Sequence, residues 1–349
     1  MTGTSGLPSD VAERAVFIAW GPPSYTNRTR PLAAALGIEV RHVYSIRRRG
    51  ALAALVKYPY QTVATTWLLF RQQPALVFVQ HPPSFTAMLA AAYGALTGTP
   101  FVVDAHSDAF DSPWWSRPRW LQRRVARRAL TTIVTNDHAA GLIRSWGASA
   151  TVVRDFPTDF DPVPYPMGPE FNIAVVATFA SDEPLEEVVA AARSLPEVRF
   201  RVTGDTRRED ATIPSALPAN VELTGFLPPA DYYGLVHDSD AAMVLTTRDH
   251  TMQRGACEAL SLGTPIITSD WPLLRDYFRQ GAVFVDNTAA GIRGGVEALC
   301  EDLGRYRREI VQLRIDALAE WETARDELVH VILADAAVDR RRHPPGLTP

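Results

Sequence analysis

Short apolar runs of strand length alternate with helix-length segments along most of the chain. We predict ten strands, at residues 15–20, 39–45, 75–80, 101–105, 131–135, 172–177, 198–204, 241–247, 264–269 and 282–286. Strands that alternate with helices imply right-handed βαβ crossovers and therefore parallel sheets. The pattern predicts an α/β protein with two parallel-sheet halves.

The two halves are separated by a segment that cannot be regular. Residues 155–170, DFPTDFDPVPYPMGPE, contain five prolines, which stiffen the chain and prevent helix or strand. We therefore expect an N-terminal domain at 1–154, an interdomain linker at 155–170 and a C-terminal domain at 171–303. A long amphipathic pattern predicts a helical segment at 304–337, and the last residues, 338–349, read as a flexible tail.

Composition and charge narrow the class of protein. An apolar fraction of 46% and a charged fraction of 21% are typical of a soluble globular chain of 349 residues, and no secretory signal opens the sequence, so we expect a cytoplasmic protein. Residues 1–166 carry a net charge of +7 and the remainder −11. Positive charge confined to one half suggests an anionic partner surface, either nucleic acid or phospholipid headgroups.

Several kinds of site are disfavoured by the motifs. Lys57 is the only lysine and lies outside any GxxxxGK[ST] sequence, no GxGxxG follows a strand, and the histidines form no HExxH or HxxxH pair. We expect no cofactor and no metal ion. The acidic triplets at 159–161 and 238–240 look like a DxD metal motif, but we interpret both as accidental. A bound phosphate would therefore depend on arginines, hydroxyl groups and helix amino termini.

One stretch places a carboxylate where ligands gather. In ACEALSLGTPIITSD, residues 256–270, Glu258 stands in a small apolar helix that ends in a Gly-Thr-Pro turn directly before a strand. Ligands of open α/β folds bind at the edge where strands end and helices begin, so this carboxylate is a candidate substrate contact. A helix carboxylate that faces water or caps the helix is the alternative.

Together with NVELTGFLPPADYYGLVHDSDAAMVLTT at 220–247, this stretch resembles the donor-binding half of GT-B glycosyltransferases of family 4. The resemblance implies two Rossmann-like parallel-sheet domains facing across a cleft, and a hexosyltransferase of EC class 2.4. VFVQHPP at 77–83 and VVDAHSDAF at 102–110 are similar to segments of the lipid-linked chitobiosyl mannosyltransferase branch. That branch implies a polyprenyl-linked acceptor.

The resemblance also implies which residues bind the nucleotide sugar. Glu258 matches the second glutamate of the EX7E motif, which accepts ribose hydroxyls, but His250 stands where the first glutamate is expected, so retaining or inverting chemistry stays open. Thr178 follows the first donor-domain strand in place of the family's Arg and Lys, which puts more weight on the loop at 246–255. The donor-binding candidates are Glu258, Arg248, His250, Thr251, Arg254 and Thr178.

The acceptor candidates lie in the first half. Asp104 and His106 follow a strand, where a carboxylate could act as general base on an acceptor hydroxyl and a histidine could contact the sugar; local hydrogen bonding is the alternative. The loop at 21–28 occupies the place of a diphosphate-binding loop in the family. Its candidate ligands are Thr26, Asn27 and Arg28.

Two segments of the basic half favour a membrane surface as the anionic partner. PWWSRPRWLQRRVARRAL at 113–130 combines six arginines with three tryptophans, and residues 47–70 place three arginines before an apolar helix. Helices packed inside the domain with solvated arginines are the alternative. We therefore expect a glycosyltransferase of envelope or exopolysaccharide synthesis, with a nucleotide sugar and a saccharide or polyprenyl-linked acceptor as partners and no nucleic acid. A sugar-nucleotide 2-epimerase and a catalytically degenerate GT-B binding subunit are the other candidates.

Overall fold

The computed structural model describes residues 6–22, 28–45, 51–106, 108–112, 114–207 and 216–342. These residues form two compact units. Unit 1 contains the described residues up to Asp155 and from Glu320 onward, and unit 2 is Phe156–Ala319. The prediction of two parallel-sheet α/β halves is confirmed, because all strand pairs within each unit's sheet are parallel.

The sheet of unit 1 has six strands among the described residues, in the order β2-β1-β3-β4-β5-β6. The strands are β1 (Ala15–Ala19), β2 (Glu39–His42), β3 (Leu76–His81), β4 (Phe101–Ala105), β5 (Thr132–Val134) and β6 (Ala150–Val152). The helices are α1 (Ser9–Ala12), α2 (Thr29–Leu36), α3 (Ala51–Gln72), α4 (Ser84–Thr97), α5 (Asp108–Asp111), α6 (Arg119–Ala126) and α7 (Asp137–Ser145). Every residue of β1 and β4 is buried, as expected for central parallel strands covered on both faces.

The sheet of unit 2 also has six strands in the described part of the chain, in the order β12-β11-β10-β7-β8-β9. The strands are β7 (Phe171–Val175), β8 (Val198–Thr203), β9 (Val221–Gly225), β10 (Ala241–Val244), β11 (Ile266–Ser269) and β12 (Ala282–Val285). The helices are α8 (Leu185–Ala192), α9 (Pro229–Asp238), α10 (Arg254–Leu262), α11 (Pro272–Tyr277), α12 (Ala289–Glu301) and α13 (Leu303–Arg342).

The proline segment belongs to unit 2, so it is not a free linker over its whole predicted length. It forms no regular element, as expected, but the Val163 amide donates to the Ala230 carbonyl (3.2 Å) and the Tyr165 amide donates to the Asp238 carboxylate (2.7 Å). Gly234 on α9 allows this approach, since a Cβ atom there would lie 1.8 Å from the Val163 carbonyl oxygen. The glycine at position 234 therefore allows the proline segment to pass directly against α9.

The last helix, α13, is longer than the helical segment predicted at 304–337, and its residues belong to both units. Ile310 and Leu313 of α13 are buried in the core of unit 2, whereas Leu328 and Ile332 of the same helix are buried in the core of unit 1. One helix therefore contributes apolar side chains to both cores. Among the described residues, no helix is both long and apolar enough to cross a membrane.

Candidate functional site

Each sheet has a point at which its strand order changes direction. In unit 2 this point lies between β7 and β10, and in unit 1 it lies between β1 and β3. Open α/β sheets bind ligands just beyond the carboxyl ends of the strands at such a point. The loops that leave β7 and β10, at 176–184 and 245–253, therefore frame a candidate site in unit 2. The loops that leave β1 and β3 frame one in unit 1.

Glu258 lies in the middle of α10 and is buried, with only 6% of its surface exposed. Its carboxylate has a partner on each oxygen. The Arg254 Nε donates to Oε1 (3.2 Å), and the Tyr232 hydroxyl donates to Oε2 (2.7 Å). Glu258 is therefore neither a solvated carboxylate nor a helix cap.

Tyr232 is a site residue that the sequence did not reveal, because it lies 26 positions before Glu258 on a different helix. Burial, followed by the nearby Glu258 charge, raises the pKa of the Tyr232 hydroxyl well above its ordinary value. The hydroxyl therefore stays protonated and donates a hydrogen bond to the carboxylate. With Tyr232 on one oxygen, Glu258 is fixed in the position from which it orients Arg254.

Arg254 occupies the first position of α10, where the positive end of the helix dipole favours an anion. The residue before it, Gln253, makes no side-chain capping hydrogen bond. The Arg254 side chain is about one-third exposed, while its Glu258 partner is buried. The start of α10 thus presents a guanidinium and helix amides beyond the end of β10.

The loop at 245–253 is folded on itself. His250 has a left-handed backbone conformation (φ 56°), and its amide donates to the Asp249 carboxylate at 2.6 Å. Thr251 donates its hydroxyl to the Asp249 carbonyl oxygen (3.3 Å). Arg248 and His250 are exposed. Asp249 therefore organises the turn that holds three of the predicted donor-binding residues.

In the loop after β7, backbone amides already donate hydrogen bonds to a carboxylate of the same loop, that of Glu183. Glu183 accepts hydrogen bonds from the Thr178 amide (2.9 Å), the Thr178 hydroxyl (2.9 Å) and the Ala180 amide (3.1 Å). Burial raises the pKa of the Glu183 carboxyl, although the bonds from Thr178 and Ala180 act in the opposite direction. Thr178, a predicted donor ligand, is thus bonded to an acid of its own loop.

A buried polar network joins the strand ends of unit 2. The Thr246 hydroxyl donates to Asp182 (2.8 Å), and its amide donates to the Ser269 hydroxyl (2.8 Å). The Thr246 carbonyl accepts from both Asn287 and Trp271 (2.9 Å each). The sequence did not reveal the residues of this network, although each lies at or just beyond the end of a strand, or in the loop that follows one. The network fixes the base of the loop that presents Arg248.

In unit 1, Asp104 is the last but one residue of β4 and is completely buried. Its carboxylate lies 3.5 Å from the Arg28 Nη2, 3.5 Å from the Thr29 hydroxyl and 3.2 Å from the His106 Nε2. Burial raises the pKa of the Asp104 carboxyl, but the charges of Arg28 and His106 and the hydrogen bonds outweigh it, so the pKa lies below its ordinary value. Asp104 is an ionised internal anchor.

His106 is the member of this cluster that reaches the surface, with 27% of its side chain exposed. Its amide donates to the carbonyl of His81 at the end of β3 (2.8 Å). The His81 Nε2 lies 3.1 Å from the Ser84 hydroxyl, which donates to the Trp115 carbonyl (3.1 Å). Burial, then the His106 charge, lowers the pKa of His81 to about 4. The sequence placed His81 only within a segment similar to the family, although its position at the end of β3 could have marked it as a candidate site residue.

Arg28, which the resemblance suggested as a phosphate ligand, is buried. Its Nη2 donates to the Val153 carbonyl (2.9 Å) and faces Asp104. Its partners are therefore a strand-end carbonyl and an internal carboxylate. The other two loop candidates, Thr26 and Asn27, lie outside the described residues.

The two acidic triplets have structural partners. Asp159 pairs with Arg314 (3.1 Å), and Asp240 accepts from the Asn172 amide (2.9 Å) and from Arg307 (2.8 Å). Within the described parts of the chain, no group of three or more His, Cys, Asp or Glu side chains is arranged to hold a metal ion.

Two family models match the sequence and together account for most of it. Residues 6–158 match the glycosyl transferase 4-like domain, and residues 183–323 match a glycosyl transferase-like domain. The chain belongs to the GT-B, family 4-like glycosyltransferases. It is therefore a transferase enzyme of that family. A comparison with curated protein sequences returns no match.

Solved structures agree with the GT-B fold. Sucrose-phosphate synthase from Thermosynechococcus elongatus aligns with a TM-score of 0.68 and 16% identity, over 93% of this chain and 99% of that one. Anabaena HepE in complex with UDP and glucose gives 0.62 and 12%, over 92% and 99%. A candidate UDP-N-acetylglucosamine 2-epimerase from Listeria monocytogenes gives 0.59 and 12%, over 85% and 90%. At these identities the likeness establishes the fold alone.

Proposed function

We propose that this GT-B glycosyltransferase takes a hexosyl group from a nucleotide sugar bound by unit 2 and transfers it to a saccharide or polyprenyl-linked acceptor bound by unit 1. The observation that carries the proposal is Arg254, which Glu258 holds at the start of α10 beside the point where the strand order reverses. A structural neighbour that holds UDP and glucose supports a nucleotide sugar as donor. The pathway we propose is envelope or exopolysaccharide synthesis on the cytoplasmic face of a membrane.

In the donor site, positive charge and helix amides meet the diphosphate. We assign Arg254, Arg248 and Thr251 to its oxygens, because negative charge develops on the leaving nucleotide as the glycosidic bond breaks. The amides at the start of α10 add to this stabilisation without a metal ion. Glu258 uses the remaining lone pairs of its carboxylate to accept from the ribose hydroxyls.

Thr178 is assigned a conditional role in the donor site. Its amide and hydroxyl are bonded to Glu183, so it contributes to donor binding only where that carboxylate moves aside. His250 stands where the first glutamate of the family motif is expected and is exposed on the loop beside Arg248. We assign His250 to the transferred sugar, with the stereochemical outcome to be measured.

In the acceptor site, we assign proton removal to His106. Its partly exposed imidazole accepts the proton of the acceptor hydroxyl, and the buried Asp104 carboxylate, 3.2 Å from the Nε2, orients the ring. Asp104 has no surface of its own, so it acts through His106 and not directly as the base. Thr26 and Asn27 remain the proposed ligands of an acceptor diphosphate, and Arg28, which was also predicted as a ligand, acts instead by positioning Asp104.

Turnover tests the proposal. The purified protein is incubated with UDP-, GDP- and TDP-sugars, with and without polyprenyl diphosphate-linked saccharides, and both released nucleotide and glycosylated lipid are measured. We expect acceptor-dependent nucleotide release that His106→Ala abolishes and that His138→Ala, an exposed histidine on α7, leaves intact. Formation of a 2-epimer without acceptor would favour the epimerase. Donor binding without turnover on any acceptor would favour the degenerate subunit.

A further inference from the structure

Helix α3 has a buried face that mixes polar residues with Leu69 and an exposed face that is largely apolar. Its buried face contains Gln61, which donates to the Val43 carbonyl (2.8 Å), and Thr65, which accepts from the Trp20 indole (2.8 Å). Its large exposed side chains are Leu55, Val56, Tyr60, Val63, Trp67 and Phe70, each at least half exposed. A helix that faces water normally presents charged and polar residues on that side. The outer face of α3 is therefore built to contact something apolar.

Charge is placed at the ends of this face. The sequence has no charged residue between Lys57 and Arg71. The Arg71 guanidinium lies over the Trp67 ring at 5.1 Å from its centroid. Long basic side chains that lie along apolar surface and keep their charged ends at the margin are typical of segments at a membrane interface.

The exposed apolar surface continues from α3 to the residues before α6. Tyr58 on α3 packs against Phe85 (centroids 5.1 Å apart) and Trp115 (6.0 Å). Next to Trp115, Trp114 has 86% of its surface exposed. Trp120 on α6 is 67% exposed. These aromatic residues extend the surface from one helix to the next.

Arginines border the tryptophans. Those on and around α6 that are exposed are Arg117, Arg119, Arg123, Arg124, Arg127 and Arg128. They lie in the half of the sequence with a net charge of +7. Exposed tryptophan beside clustered arginine suits the headgroup layer of an anionic bilayer, where the ring enters the boundary and the guanidinium pairs with phosphate.

We propose that the outer face of α3, together with Trp114, Trp120 and the α6 arginines, is a docking surface for anionic phospholipid. This lipid-contact surface deepens the proposed function, because it holds the acceptor half of the enzyme where a lipid-linked acceptor lies. It also adjoins the candidate acceptor site, since Trp115 is bonded through Ser84 to His81 beside His106. A second copy paired through the same face is a poorer occupant, because the arginines of the two copies would then face each other.

Vesicle binding tests the lipid-contact surface. The full chain is sedimented with vesicles of phosphatidylcholine alone and with vesicles of equal parts phosphatidylcholine and phosphatidylglycerol, at low and high salt. We expect strong binding to the mixed vesicles only, weakened by salt. Arg123→Gln with Arg124→Gln should weaken it roughly twentyfold, and Val63→Asn with Trp67→Asn should abolish it. Ile315→Asn, on an exposed apolar position of unit 2, is the matched control and should bind as wild type.

Two further measurements keep the result interpretable. The melting temperature and the UDP-sugar binding of the two unit 1 variants should equal those of wild type, since the changed side chains are exposed and lie outside the donor-binding unit. If wild-type protein does not bind the mixed vesicles, or if the variants bind them as wild type does, the proposed lipid-contact surface is wrong. The donor-site proposal would be unaffected by either result. A wild-type dimer that becomes a monomer in Val63→Asn with Trp67→Asn, without vesicle binding, would assign the face to a second copy.

Discussion

Asp104 in unit 1 and Glu258 in unit 2 are arranged in the same way. Asp104 is a buried carboxylate near the end of a strand and Glu258 is one in the middle of a helix, and each is paired with one arginine and one hydroxyl group. The difference lies in the arginine, because Arg28 is buried with its partner while Arg254 is one-third exposed. In unit 1 the only partly exposed partner described for the carboxylate is His106. Under the proposed function, the same arrangement presents a proton acceptor in unit 1 and a phosphate-binding cation in unit 2.

The largest effect should come from breaking the buried pair of unit 1. Asp104→Ala leaves the Arg28 charge buried without its partner, which should lower the free energy of unfolding by about 3–5 kcal/mol. Urea denaturation followed by the tryptophan fluorescence of unit 1 measures it. Asp137→Ala removes an exposed ion pair with Arg154 and should change the value by about 0.5 kcal/mol or less. Equal costs for the two variants would show that Asp104 is not an ionised anchor.

The next largest effect should be a pH dependence that comes from His81. The pKa of His81 falls from 6.5 in the unfolded chain to about 4 in the folded one, so below pH 6.5 the unfolded state takes up the proton first. Stability should therefore fall by about 3 kcal/mol as pH drops from 6.5 to 4. Melting curves across this range should be flatter for His81→Gln than for wild type. Parallel curves would contradict a neutral, buried His81.

A smaller loss is expected at the corresponding position in unit 2. Glu258→Gln keeps an acceptor for Tyr232 but removes the charge beside Arg254, which can turn towards water because it is partly exposed. We expect a decrease of about 1–2 kcal/mol in the free energy of unfolding. Glu297→Gln, which removes an exposed i,i+4 pair with Arg293, is the control. A cost as large as that of Asp104→Ala would remove the contrast between the two arginines.

The smallest effect should be at Glu183. Glu183→Gln keeps one acceptor for the Thr178 and Ala180 amides, so stability at neutral pH should change by about 1 kcal/mol or less. Because the folded-state pKa of Glu183 is raised, wild type should gain stability relative to the variant as pH falls through it, and this gain should level off below the unfolded pKa. A gain of wild type on raising the pH would contradict that direction.

The sequence predicted the strands well because apolar runs of strand length depend only on neighbouring residues. β6, Ala150–Val152, and β9, Val221–Gly225, were missed, since polar residues interrupt the apolar ones in both. Glu258 was found because its surroundings match a family motif, but Tyr232 and the Thr246 network depend on contacts between residues far apart in sequence. Likewise, Asp104 was expected just after a strand and lies within β4 as its last but one residue, whereas its burial against Arg28 is a tertiary property. That α3 exposes large apolar side chains could be seen only from its packing within unit 1.

Calorimetric titration of UDP-glucose into wild type, Arg254→Gln and Arg248→Gln tests the donor site at the start of α10. We expect wild type to bind, and Arg254→Gln to bind at least about tenfold more weakly, as expected for loss of a charge-assisted bond to phosphate; Arg248→Gln should weaken binding less. Arg293→Gln, an exposed arginine on α12, should bind as wild type. If neither UDP-glucose nor other UDP-, GDP- or TDP-sugars bind, or if Arg254→Gln binds them unchanged, the donor site at the start of α10 is wrong.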